Sequence, residues 1–209
     1  MQEMKKYLAA LLIGTAWLSC QSPVSDGAQQ EETQEAVATE ANMASAFWLD
    51  LKALQGKSFE GQLVTDPAND DFAGKKLVMH VLYADDEKIL IPFNVGDDLS
   101  RTWIFKYKQG RIELKHDHRM PDGSEDEITM YGGTSSNHGK TGMQVFPADQ
   151  ETTELLPEAF SNVWWVTLDS TTFTYNLRRL GTERVFTVAF DLTKEIQKPT
   201  PSWGWEDFE

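Results

Sequence analysis

Residues 102–119 read TWIFKYKQGRIELKHDHR. Successive side chains of an extended chain point to opposite faces, so Trp103, Phe105 and Tyr107 share one face and Thr102, Ile104 and Lys106 the other. The alternation resumes after Gln109-Gly110, with Ile112, Leu114, His116 and His118 together on one side. Two alternating runs joined by a short turn containing glycine predict an antiparallel hairpin whose aromatic face is buried.

Working outward from this hairpin, the same chemistry repeats. Strands are expected over residues 58–65, 76–83, 88–95, 102–108, 111–119, 126–131, 142–146, 162–168, 172–180 and 184–192. Turns at Asp85-Asp86, Gln109-Gly110, Pro121-Asp122-Gly123, Asp169-Ser170 and Gly181-Thr182 separate consecutive runs, which predicts a meander of antiparallel neighbours. Phe173, Tyr175 and Leu177 oppose Thr172, Thr174, Asn176 and Arg178, so these strands too have an inside and an outside. The expected fold is mainly β: an antiparallel up-and-down barrel of about eight to ten strands, because closure removes the two exposed edges a meander leaves. A two-sheet sandwich of the same strands is the alternative. Ahead of the strands, Phe47, Trp48, Leu51 and Leu54 recur at spacings of three and four. They predict a short amphipathic helix over 44–54, ended by Gln55-Gly56, that lids or enters the barrel. Residues 132–162 are glycine-rich and read as a long loop at a barrel mouth, with a helical turn over 152–160.

The N-terminus reads differently. Residues 1–20 are MQEMKKYLAALLIGTAWLSC, with Lys5 and Lys6 ahead of an apolar run of twelve residues, Tyr7 to Leu18. Such a run is too short to span a bilayer core of ~30 Å but suits a signal sequence. Ser19 then precedes Cys20, the chain's single cysteine, which has no partner for an intrachain disulfide. This segment resembles the lipobox of bacterial lipoproteins, with Trp17 where the family usually has leucine. The resemblance implies removal of residues 1–19, acylation of the Cys20 thiol, and anchoring to a membrane of the bacterial cell envelope. Gln21 follows the cysteine in place of an aspartate that would retain the protein at the inner membrane. The expected residence is therefore the outer membrane, at its periplasmic face or at the cell surface. Residues 20–43 contain no Lys, Arg or aromatic residue and read as an acidic linker. The barrel domain is expected over 44–198. The tail 199–209, with Trp203, Trp205 and Phe208, is expected to dock on the barrel and close one end.

A short helix followed by a glycine and then a meander, carried here by Leu54, Gly56, Phe59 and Gly61, is similar to the lipocalin-like (calycin) barrels. The resemblance covers roughly residues 45–192. Ser58 stands where that family has the tryptophan of its Gly-x-Trp motif. It implies a barrel whose interior holds a small molecule, and specifies none.

The formal net charge is −14 and no basic cluster interrupts it, which argues against a nucleic-acid partner. His116 and His118 fall on the core side of their strand, as Ile112 and Leu114 do. Two imidazoles so placed offer nitrogen to a transition metal, with His80 as a third ligand if its strand faces the same cavity, and with Asp126 or Glu127 completing the set. They are equally suited to lining a ligand pocket, or to a structural role beside the Pro121-Asp122-Gly123 turn. Arg101 and Arg119, next to aromatic residues at strand ends, are candidates to clamp a small carboxylate, or else to pair with acidic neighbours. The candidate ligand-binding residues are thus His80, Arg101, Trp103, His116, His118 and Arg119. The acidic loops 66–71 and 122–126 offer oxygen ligands. The second lacks the glycine and distal glutamate of a calcium loop. No nucleophile elbow or phosphate loop is present, and no catalytic set is recognisable. The expected function is binding of a small apolar or amphipathic ligand by an envelope lipoprotein. The alternatives are a metal-binding protein or metal-dependent enzyme using His116 and His118, and a structural or adhesive surface component. Nothing in the sequence sets an oligomeric state.

Overall fold

The computed structural model describes residues 43–65 and 71–208. The leader, Cys20, the linker before residue 43 and most of the acidic loop at 66–71 lie outside the described residues. Helix α1 covers 43–52. Eleven strands follow: β1 Ser58–Leu63, β2 Leu77–His80, β3 Tyr83–Ala84, β4 Lys88–Val95, β5 Asp98–Lys108, β6 Arg111–His118, β7 Tyr131–Thr134, β8 Met143–Pro147, β9 Asn162–Leu168, β10 Thr172–Arg179 and β11 Val185–Glu195. Helix α2, Gln150–Leu155, and a 3-10 turn, Pro157–Ala159, lie between β8 and β9.

The strands form one antiparallel sheet in the order β7-β6-β5-β4-β2-β1-β11-β10-β9-β8, with β3 paired to β4. Strands adjacent on this path are consecutive in sequence apart from β2 and β4, between which the short β3 lies, and the β1–β11 pair that joins the ends of the meander. Strands β7 and β8 then approach each other without a ladder. The Asp149 N–H donates to the Gly132 carbonyl at 3.0 Å, and the Thr152 hydroxyl donates to that carbonyl at 2.8 Å while accepting from the Gly132 N–H at 2.7 Å. The result is a nearly closed up-and-down barrel.

The hairpin expected over 102–119 forms as β5 and β6, with Trp103 opposite His116 and Phe105 opposite Leu114. Gln109 and Gly110 both take positive φ, 53° and 73°, as a two-residue turn matched to the twist of its strands requires. The inward rows of all the long strands merge into one core with Phe47, Trp48 and Leu51 of α1. The Trp48 ring packs on Tyr107 at 5.5 Å, and its indole N–H donates to the Asp85 carbonyl at 3.0 Å. Helix α1 therefore plugs the barrel end at which the β3–β4 and β5–β6 turns lie.

Three expectations are corrected. The strand expected over 126–131 begins only at Tyr131. Before it, the Asp126 carboxylate accepts from the Ile128 N–H and the Thr129 hydroxyl accepts from the His118 N–H. These side-chain bonds take the place of a ladder, and Met130 turns the chain at φ 59°. The segment 132–162 is less loop than expected: it opens with β7, while the strand expected over 142–146 forms as β8 and the helical turn expected over 152–160 forms as α2 and the 3-10 turn. The tail closes neither barrel end. It lies along the outer face of β4, β5 and β6, where Asn94 donates to the Thr200 carbonyl at 3.1 Å, the Trp203 N–H donates to Leu99, and the Trp205 indole donates to Asp117 at 3.0 Å.

Candidate functional site

At the barrel end where β5 begins and β6 finishes, the interior is not filled. A cavity of about 230 Å³ remains. Its buried floor is built by Trp103 of β5, His116 of β6, Trp164 of β9 and Tyr175 of β10. Arg101, His118, Arg179 and Arg184 stand at its more exposed rim. Each position follows from strand alternation: Arg101 lies two residues before Trp103, His118 two after His116, and Arg179 four after Tyr175.

The floor is largely aromatic. Trp103 stacks on Tyr175 at 4.4 Å and on Phe93 at 4.6 Å. His116 stacks on Tyr131 at 4.7 Å and leans on Trp164 at 5.1 Å. Both nitrogens of His116 are engaged. Nδ1 lies 2.9 Å from the Tyr131 carbonyl, which can only accept, so Nδ1 carries the proton. Nε2 then accepts from the Tyr175 hydroxyl at 2.6 Å. Burial enforces this neutral tautomer by pushing the His116 pKa down to about 3. Burial also pushes the Tyr131 phenol up to about 12 and the Tyr175 phenol upward. The Tyr131 hydroxyl meets His118 Nε2 at 3.0 Å. Burial, and then the nearby Arg101 charge, lower the His118 pKa too. The floor thus presents neutral rings and neutral hydrogen-bonding groups, with positive charge only at the rim.

The sequence-predicted residues divide. Arg101, Trp103, His116 and His118 come together around the cavity. Arg101 is ion-paired with Asp98 and lies over the Phe72 ring at 5.3 Å. His80 does not join them. On β2, Leu77 and Met79 face the core, which turns His80 outward beneath the tail. There its Nδ1 meets the Ser58 hydroxyl at 2.9 Å and the Lys57 carbonyl at 3.2 Å. Arg119 is also on the outer face. It donates to Asp117 at 2.9 Å and covers the Trp205 ring at 5.2 Å. The His80, His116 and His118 metal set is therefore not assembled, and His116 has no free lone pair to give. Asp126 is committed to Ile128, Glu127 is exposed, and among the described residues no three His, Cys, Asp or Glu side chains gather to hold a metal. In the 122–126 loop, Asp122 accepts from Ser124.

Sequence reasoning missed Tyr131, Trp164, Tyr175, Arg179 and Arg184 as parts of the site. The signal for two of them was present. Tyr175 was already on the inward row of β10, and that row, carried one step past Leu177, reaches Arg179.

Fold and site together define a nearly closed, lipocalin-like antiparallel barrel with a small aromatic chamber open at one end. Comparison with protein-family models, curated proteins and solved structures finds no match for this chain.

Proposed function

We propose that this chain is a lipid-anchored envelope protein whose barrel binds a small organic ligand in the chamber floored by Trp103, His116, Trp164 and Tyr175. The observation that carries this reading is the cavity itself. Interiors are normally packed to crystal-like density, yet here about 230 Å³ stays open against four buried rings. Ligand sites have this composition, mostly apolar and aromatic walls with a few placed polar groups. The volume lies below the roughly 300–1,000 Å³ of sites for drug-sized molecules, so the ligand is small and a long acyl chain does not fit whole. The lipoprotein part rests on the leader and Cys20, and puts the barrel at the outer membrane, on its periplasmic face or at the cell surface.

Two measurements test the two parts separately. Native mass spectrometry of the full chain, extracted from cells in mild detergent, is expected to show a retained compound that denaturation releases. A bare chain whose tryptophan fluorescence responds to no small aromatic or aliphatic compound removes the binding reading. Labelled palmitate is expected to enter the wild type and not Cys20→Ala, which should leave the membrane fraction. Equal membrane retention of both removes the anchor.

A further inference from the structure

The rim concentrates one residue type. The chain contains six arginines and thirteen lysines. Three of the arginines line the cavity, and among the described residues no lysine does. Guanidinium is the side chain suited to fork-like binding of planar oxyanions, whereas lysine offers only a point charge. In a chain of net charge −14, three guanidiniums around one opening run against the overall balance.

Their placement adds a second observation. The Arg179 N–H donates to the Arg184 carbonyl at 3.1 Å, one step beyond the ladder pair Arg178 and Val185. Arg179 and Arg184 are therefore cross-strand neighbours on the inward face, continuing the rows of Tyr175 and Leu177 on β10 and of Val188 and Phe186 on β11. Like charges directly opposite on a sheet face destabilise it. Arg101 is neutralised by Asp98. The Arg179 guanidinium donates to the neutral Asn162 amide oxygen, at 2.9 Å. Among the described residues, neither Arg179 nor Arg184 forms an ion pair with a carboxylate. Arg101 and Arg184 both sit near enough to Tyr131 and Tyr175 for their charges to act on those phenols, so the rim and the floor serve one chamber.

We propose that the chamber takes a small organic oxyanion, a planar apolar body lying against Trp103 and Tyr175 with its carboxylate-like group held between Arg179 and Arg184 and assisted by Arg101. This rests on the binding reading above and names the chemical class of the ligand. A negative group placed between the two arginines removes their repulsion and gains charge-assisted hydrogen bonds at a partly desolvated site.

The test uses the full chain in detergent, titrated calorimetrically with benzoate, 2-naphthoate and indole-3-acetate, each beside its neutral amide. At least one acid is expected to bind tenfold or more tightly than its amide. Arg184→Gln should weaken that acid at least tenfold and leave the amide within twofold. Arg184 is exposed, so this variant is expected to fold. A measurement without ligand accompanies the titration: at low ionic strength the urea midpoint of Arg184→Gln should rise above that of the wild type, because a like-charge pair is relieved. Equal binding of acid and amide, with Arg184→Gln unchanged, overturns the oxyanion clamp and leaves the chamber a neutral binding site. Failure of every acid and every amide to bind counts against chamber and clamp together. A lower midpoint for Arg184→Gln shows that the arginine pair is not strained, and overturns the argument from repulsion.

Discussion

Burial among Tyr131, Trp164 and Tyr175 leaves the His116 ring one carbonyl to donate to and one hydroxyl to accept from, and the neutral imidazole has one nitrogen for each role. Protonating it would place a hydrogen on Nε2, facing the Tyr175 hydroxyl, and a charge among buried rings, which is why its pKa falls to about 3. The consequence for stability has a definite sign. An unfolded histidine titrates near 6.5, so as pH falls the unfolded chain takes up this proton long before the folded one. Above pH 6.5 the group adds no pH dependence. From there down toward pH 3 it costs about 1.4 kcal/mol of stability per pH unit. His118 and His80, both lowered first by burial, act in the same direction. The carboxylates with lowered pKa, Asp98 and Asp149 among them, lose their contribution only as pH falls into and below the ordinary carboxylate range near 4. The urea midpoint of the wild type should therefore drop steadily between pH 6.5 and 4.5. His116→Gln, which keeps one donor and one acceptor but cannot titrate, should drop less steeply. Parallel slopes for the two proteins would remove His116 as the source.

At the scale of elements, the barrel depends on a seam that no ladder closes. A side chain at Gly133 would sit 1.8 Å from the Pro147 carbonyl oxygen, backbone against backbone, so β7 meets the end of β8 only because that position has no Cβ. The seam is then held by the Thr152 hydroxyl on Gly132 and by Asp149, which also caps α2 through the Thr152 N–H at 2.8 Å. Lys115, buried on the outer side of β6, reaches Asp149 at 2.6 Å and Glu151 at 2.9 Å. Burial works against its charge, and the two carboxylates overcome this to raise its pKa. Gly133→Ala should part the seam and lower stability by about 3 kcal/mol. Gly181→Ala, at a turn with positive φ but nothing within 4 Å, should cost about 1 kcal/mol through backbone strain alone. Equal urea midpoints for the two variants would show that the close approach does not matter. This seam marks the limit of what could be read in advance. Strands with alternating aromatic rows, such as β5, β6 and β10, announce themselves, because their inward faces must be apolar to reach the core. Strand β7, whose sequence is YGGT, has no side-chain alternation to read, since its two glycines are selected by distance to a neighbouring backbone. The site divides in the same way. His116, His118, Trp103 and Arg101 lie on or beside the legible hairpin. Tyr131 and Trp164 reach the cavity from strands whose places around the barrel are set by closure, which local sequence does not encode. The inward parity of Leu77 and Met79 already turned His80 away from the cavity.

The whole molecule is a barrel with three differently treated surfaces: an end plugged by α1, an end left open to the cavity, and an outer face covered by the tail. The covering explains why β4 is buried along nearly its whole length on both sides, and why polar residues on the outward rows, Asn94, Thr102 and Asp117, are almost fully buried. Asp117 is the keystone of this contact. Its carboxylate accepts from Arg119 at 2.9 Å and from the Trp205 indole at 3.0 Å, and the Arg119 guanidinium in turn lies over the Trp205 ring. Ser202, itself buried, donates to Asn94 at 2.8 Å, and Phe208 meets Tyr83 edge-on at 5.3 Å. Removing residues 199–209 would strip three half-buried aromatic rings from this face and leave Asp117 with Arg119 but without its indole donor. Stability should fall by roughly 2–4 kcal/mol. The tail lies on the opposite side of β5 and β6 from the cavity, and the inward row of Arg101, Trp103, His116 and His118 is held by core and seam contacts that the tail does not touch. The truncated chain, kept cold enough to remain folded, should therefore bind the cavity's ligand within about twofold of the wild type while unfolding at a clearly lower urea concentration. Loss of binding without loss of stability would reverse the assignment and make the tail a part of the site.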